Sequence, residues 1–168
     1  MILTVHGSDP LLWVPDYDPE YIAIVGTRRR NDQADLEQVL LYVHSRAVLA
    51  ESVGRKIVIV SGGAASGADH HAEVVASAME LDLVRYRPRF VEHGAPYYQF
   101  VRALFDRNTR IVELAGTVAA QIHHDRDGGT EDAIKKAHKL CRPVELLNSD
   151  GTIVPELTQR NKQRKKQQ

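Results

Sequence analysis

The stretch 57-IVIVSGGAASGADHHAEVVASAM-79 decides how this chain is read. Four β-branched apolar residues, Ile57 to Val60, run together without alternating with polar ones. Such a run suits a strand buried on both faces of a sheet. It stops at Ser61, and three glycines follow within six residues, Gly62, Gly63 and Gly67. A segment with helical periodicity then runs from Gly67 to Leu81. Ordering glycine costs backbone entropy, so the junction must need unusual dihedrals, close approach of a ligand to the backbone, or both. The first amides of the following helix have no intrahelical partner and carry partial positive charge, which suits a phosphate. The junction is not a P-loop, because no Lys-Ser/Thr follows the glycines, and it is not a clean GxGxxG. A purely structural account exists beside the ligand account. Ser66 would cap the helix, and Asp69, three residues on, would complete a capping box.

The same grammar recurs on both sides. Tyr21–Val25 is a compact apolar strand ending at Gly26, and an amphipathic helix is predicted over 32–51 from Leu36, Val39, Leu40, Val43, Ala47 and Val48. After the second helix come a short strand at Leu83–Tyr86, a loop over 87–100, and a helix through Phe100, Val101, Leu104 and Phe105 to Ala115. Thr117–Ile122 reads as a fourth strand, Thr130–Leu140 as a helix and Pro143–Leu147 as a last strand. The expectation is therefore an α/β protein: a single three-layer Rossmann-like domain over 21–150, with a mostly parallel sheet of about five strands. Residues 1–20 read as an N-terminal arm packed on the domain by Leu11, Leu12, Trp13 and Val14. Residues 151–168 read as a basic, disordered tail.

The bulk numbers bound the function. A length of 168 residues suits one domain with its own core. Basic and acidic residues number 22 each, so the formal charge is zero, which argues against a surface devoted wholly to nucleic acid. The single cysteine, Cys141, precludes an intramolecular disulfide and points to a reducing interior. It is expected to be a small packed residue. Neither a signal peptide nor a membrane-spanning run is read, so a cytoplasmic protein without a membrane partner is expected.

Ligands of open α/β sheets bind beyond the carboxyl ends of the strands. Three junctions there carry suitable residues. At Gly26-Thr27-Arg28 the glycine admits a ligand, the hydroxyl offers a hydrogen bond and an arginine can grip an anion bidentately. At Ser61, Gly62, Gly63, Ser66, Gly67 and Asp69 lies the loop quoted above. At Gly128-Gly129-Thr130 glycines again open a helix, with Thr130 as the expected N-cap. Glu131 and Asp132 in that first turn are stabilised by the helix dipole. They oppose a phosphate at the same terminus and suit sugar hydroxyls better, phosphate then falling to glycine amides or to Arg107. The pairs His70-His71 and His123-His124 suggest a metal at first sight. Adjacent helical residues do not face one site, and no HExxH or cysteine cluster accompanies them, so no metal site is expected.

The segments IAIVGTRR, VIVSGGAASGADHHAEVVA, RNTRIVELAGTVAAQ and DGGTEDAIKKAHKLCRPVEL together resemble the SLOG superfamily of Rossmann-like proteins, from about Tyr21 to Leu147. That superfamily includes the DNA-processing protein A, the YpsA-like proteins and the LOG (Lonely Guy) phosphoribohydrolases. The chain looks most like the small YpsA-type members, through Gly26-Thr27-Arg28, Gly62 to Asp69, the pair Arg107-Asn108 and Gly128-Gly129-Thr130. The resemblance implies a pocket for a nucleotide or nucleotide-derived ligand and homodimerisation or higher homo-oligomerisation; no cofactor is expected. The LOG enzymes are known for PGGxGTxxE and cleave the N-glycosidic bond of nucleoside monophosphates with an arginine and a glutamate. Here no Pro precedes the glycines, Arg107 falls near that arginine and Asp132 stands where the glutamate would be, with Glu131 beside it. Asp is one methylene shorter, and a misplacement of about 1 Å costs on the order of a hundredfold in rate.

The reading that follows is a nucleotide-binding module, of the kind that senses a nucleotide-derived signal. The alternative is a nucleoside 5′-monophosphate phosphoribohydrolase with Arg107, Asp132 and Glu131 as its machinery. A third reading, by analogy with DNA-processing protein A, is single-strand DNA binding through the basic tail, Arg28 to Arg30, Tyr97, Tyr98 and Phe100. Zero net charge and sparse aromatics disfavour it.

Overall fold

The computed structural model describes residues 1–7, 16–124 and 128–156. The described residues form seven strands and four helices. They are β1 (Ile2–His6), β2 (Pro19–Gly26), α1 (Gln33–Ser52), β3 (Lys56–Ser61), α2 (Ala68–Ala78), β4 (Asp82–Arg87), α3 (Tyr97–Leu114), β5 (Thr117–Gln121), α4 (Gly128–Lys139), β6 (Val144–Leu147) and β7 (Ile153–Pro155), alternating from β2 to β6. The sheet order is β1-β4-β3-β2-β5-β6-β7. All neighbours are parallel except β6 and β7.

The five expected strands form the centre of this sheet, and two further strands flank them, so the expected count of five is corrected to seven. The two extra strands fall in the spans read as arm and tail. Their invisibility has a physical cause. A strand covered on both faces advertises itself by a continuous apolar run, as in β3, where five of six residues are buried. In β1 Val5 alone is buried, and in β7 every residue is exposed. Edge strands are held by ladder hydrogen bonds more than by side-chain burial. The apolar run Leu11–Val14 and the tail beyond 156 lie outside the described residues.

Successive side chains of a strand point to opposite faces, and here each face has its own core. Ile22, Ile24, Ile57, Ile59 and Leu83 meet Val39, Val43, Ala72 and Val75 of α1 and α2. Ala23, Val25, Val58, Val60 and Val118 meet Ile111, Val112, Ala133 and Ile134 of α3 and α4. Each fully buried Ile or Val contributes about 1.5–3 kcal/mol relative to exposure. That sum, set against chain entropy, fixes the sheet between its helices.

Several helix limits differ from the periodic pattern. α1 starts with Asp32 as N-cap and Asp35 closing a reciprocal capping box. Its outer surface carries Leu40 and Val48, which the periodicity had assigned inward, while Tyr42 and Ala50 are buried instead. α3 begins at Tyr97, inside the segment expected to be loop, with Pro96 as its N-cap. α4 ends in a Schellman arrangement: the Cys141 amide donates to His138 O and the Arg142 amide to Ala137 O. Cys141 takes the left-handed position of that motif at φ +55° and is exposed, so it is not the packed residue expected.

Candidate functional site

The chain runs from β2 outward to β3 and β4, then restarts at β5 on the other side of β2. The carboxyl ends of β2 and β5 therefore form the topological switch point of the sheet, where a crevice opens by construction. A cavity of about 410 Å³ lies there. All three junctions contribute to it. Gly26, Thr27 and Arg28 come from the first, Ser66 and Asp69 from the second, and Gly128, Gly129 and Thr130 from the third, with Arg107 and Asn108 of α3. Ser61, Gly62, Gly63, Gly67, Glu131 and Asp132 are not in its wall.

The first junction is braced from beneath. Arg30 is buried at 5% exposure and pairs with Asp35 at 2.6 Å. It also donates to the Gln38 side chain and to the carbonyls of Ile122 and Leu147. A buried charge of this kind is tolerated because its donors are matched. Arg30 is thus a pin for the 26–30 loop and cannot serve the nucleic-acid surface to which Arg28–Arg30 were assigned. Arg28 and Arg29 are exposed at the mouth. Thr27 accepts the Arg29 amide through its hydroxyl at 3.2 Å. Beneath Gly26 sits fully buried Gln121, whose amide donates to Asp35 O and whose oxygen meets the ring of His71 at 3.0 Å. A Cβ on Gly26 would lie 2.7 Å from both Ala68 Cβ and Gln121 O, so this glycine lets strand and helix touch.

The second junction is closed by the protein itself. The amides of Gly63 and Ala64 donate to Ser61 Oγ (3.1 Å) and Asp69 Oδ2 (3.2 Å), and the Gly67 amide donates to Asn31 Oδ1 (2.7 Å). The space beside Gly62 is filled by the Arg107 guanidinium and, at 2.7 Å from a hypothetical Cβ, by Asp69 Oδ2. Gly67 has φ +70°, and a Cβ there would stand 2.5 Å from Thr27 O. The expected cap is not formed. Gly67 is the N-cap of α2 and no side chain caps it. Asp69 has turned back across the loop instead, to the Ala64 amide and to Arg107 at 3.3 Å. Burial pushes the Asp69 carboxyl above its usual range, against the smaller opposing pull of Arg107 and of the Ala64 and Gly62 amides.

Arg107 is similarly committed. Its Nη1 donates to Gly62 O at 2.8 Å and its Nη2 to Asn108 Oδ1 at 3.0 Å. Asn108 passes the contact on, donating to Gly129 O and to Asp132 Oδ2, both at 3.1 Å. Asp132 also accepts from Lys136 at 2.7 Å. A continuous polar chain, Asp69–Arg107–Asn108–Asp132–Lys136, thereby ties the β3–α2 loop to α3 and α4. Asp132 is turned into this chain, and Glu131 faces Lys135 at 3.9 Å.

The third junction is open. Gly128 has φ +57°, and among the described residues nothing lies within 4 Å of a Cβ there, while Gly129 would meet only the Asn108 amide at 3.6 Å. α4 begins at Gly128, so Thr130 lies within its first turn and is not the N-cap expected. The wall that sequence reasoning missed is apolar. Tyr97, Val101, Leu104 and Phe105 line the cavity beside Asn108 and Ile111. Their spacings of three and four are those of one helix face. The periodicity marks the helix, but it does not say which element or cavity that face meets.

Among the described residues, no group of three or more His, Cys, Asp or Glu could hold a metal. His71 is buried against Gln121, and His70 is exposed. Nor, among the described residues, is any helix long and apolar enough to cross a membrane. Comparison of the chain with family models and with curated proteins finds no match in either.

Proposed function

We propose that the chain is a Rossmann-like, three-layer nucleotide-binding module. Its ligand, a nucleotide or nucleotide-derived molecule, occupies the switch-point cavity. The observation that carries this reading is the convergence of three separate junctions, with an apolar helix face opposite them, on one cavity of ligand size. Phosphate lies toward Arg28 and the open first turn of α4, where amides lack intrahelical partners. The ribose and base lie along Tyr97, Val101, Leu104 and Phe105.

Binding is better supported than hydrolysis. Arg107, in the cavity wall, is held by Gly62, Asp69 and Asn108, and Asp132, outside the wall, by Asn108 and Lys136. A thermal-shift panel of nucleoside mono-, di- and triphosphates and dinucleotides tests the reading. A ligand at one hundred times its Kd contributes about 2.7 kcal/mol, which in a domain of this size raises Tm by on the order of 5–10 °C. Arg28→Ala is expected to weaken that ligand about tenfold without lowering the Tm of the free protein. No shift with any member of the panel sinks the reading. Release of free base in the same tubes replaces it with hydrolysis.

A further inference from the structure

A second cavity, of about 350 Å³, lies on the other side of Arg107, beyond the end of β4 and against α3. Among the described residues its wall contains Arg87, Arg89, Arg107 and Arg110 and one carboxylate, Asp106. Several arginines elsewhere in the molecule are answered by acids. Arg85 forms a two-pronged pair with Glu73 (2.7 and 2.5 Å), Arg55 pairs with Asp18, and Arg46 with Glu20. In the second cavity Arg107 is answered by Asp69. Arg110 lies 4.7 Å from the Tyr86 ring centroid and donates to Gly7 O.

Arg87 and Arg89 are different. Among the described residues neither side chain forms a hydrogen bond or an ion pair. Their stems run beside glycine backbone. A Cβ on Gly7 would meet Arg89 Cβ at 3.4 Å, and one on Gly63 would meet Arg87 Cγ at 3.7 Å. Two guanidinium groups without a side-chain partner among the described residues thus line one cavity beside a third arginine. Like charges gathered this way repel unless an anion sits among them.

We propose that this cavity is an anion site for a small phosphate-bearing molecule, gripped by the Arg87 and Arg89 forks with Arg110 adding charge. The guanidinium fork matches phosphate oxygens two at a time. The cavity volume is at the small end for ligand sites, and the zero formal charge of the chain disfavours an extended polyanion. The proposal stands on residues outside the switch-point cavity and does not depend on the nucleotide reading.

Titration of the full chain with sodium pyrophosphate, followed by amide NMR, tests it. The expected result is saturable shifts at Gly7, Arg87, Arg89 and Thr109, weakening with salt. In Arg87→Gln/Arg89→Gln binding should fall at least about tenfold while the Tm and the remaining spectrum are kept, since both side chains are exposed. The lysine double variant should recover part of the affinity, as charge without the fork. No binding, binding unaffected by the glutamine variant, or shifts confined to residues 26–29 and 128–130 overturns the proposal. Tighter binding of a single-stranded oligonucleotide, with shifts centred on the exposed Phe90, Tyr97 and Tyr98, overturns the assignment to a small ligand in favour of nucleic acid.

Discussion

The glycine junctions after β3 and β5 are written alike and built oppositely. Both place paired glycines between a buried strand and a helix. After β3 the room left by the missing side chains is filled by protein: the Arg107 guanidinium beside Gly62, and the Thr27 carbonyl 2.5 Å from where a Cβ of Gly67 would stand. The amides of Gly63, Ala64 and Gly67 are spent on Ser61, Asp69 and Asn31. After β5 no described residue approaches Gly128, and Gly129 has one ordinary contact at 3.6 Å. A glycine thus records that a Cβ would be in the way, not what it would be in the way of. The closed junction holds the wall of the cavity, and the open one faces into it.

Substitution at the two junctions should separate them sharply. Gly67→Ala meets two costs at once. The left-handed backbone at φ +70° disfavours an L-side chain by about 1–2 kcal/mol. The methyl would also press on the Thr27 carbonyl and, at 2.8 Å, on Arg28 Cα, both backbone atoms, and such overpacking costs about 1–3 kcal/mol. A loss of about 2–5 kcal/mol is expected in urea unfolding. A loss under about 0.5 kcal/mol breaks the description of this junction as closed.

Gly129→Ala is the counterpart and should act in the other direction. Alanine is the better helix former by up to about 1 kcal/mol, and its contact with Asn108 is unstrained. Stability should hold or rise slightly in the same urea series, while affinity for any nucleotide found by thermal shift should drop. Equal destabilisation at both positions erases the comparison.

How much of this was legible in the sequence follows from the same physics. The central strands could be read because a strand buried on both faces has few options but an apolar run, as in Ile57–Val60. β1 and β7 could not, because backbone pairing at a sheet edge leaves no side-chain pattern. The location of the cavity was legible, since alternation of strand and helix fixes a switch point. The partners of Asp69 were not. Spacing to Ser66 suggested a capping box, but Arg107 arrives from α3, 38 residues away, and the carboxylate turned to it. Arg30 likewise reads as one of three equivalent arginines until Asp35, Gln38 and the carbonyls of Ile122 and Leu147 surround it. Long-range polar partners leave no periodic trace.

Asp69 supplies the subtlest test of the closed junction, because two opposing forces act on it there. Desolvation raises its pKa above 3.8, and the nearby guanidinium and amides lower it by less. A carboxyl raised in the folded state binds more protons there than in the unfolded chain across the interval between the two values. Stability therefore falls as pH rises through that interval, and the cost is absent below about pH 3.8. Asp69→Asn removes this titration and leaves the other acids in place. Wild type should accordingly gain stability relative to Asp69→Asn when urea unfolding is moved from pH 7 to below pH 4. Should wild type lose ground instead, the ion pair with Arg107 outweighs burial, and the loop after β3 is clasped shut by charge rather than merely filled.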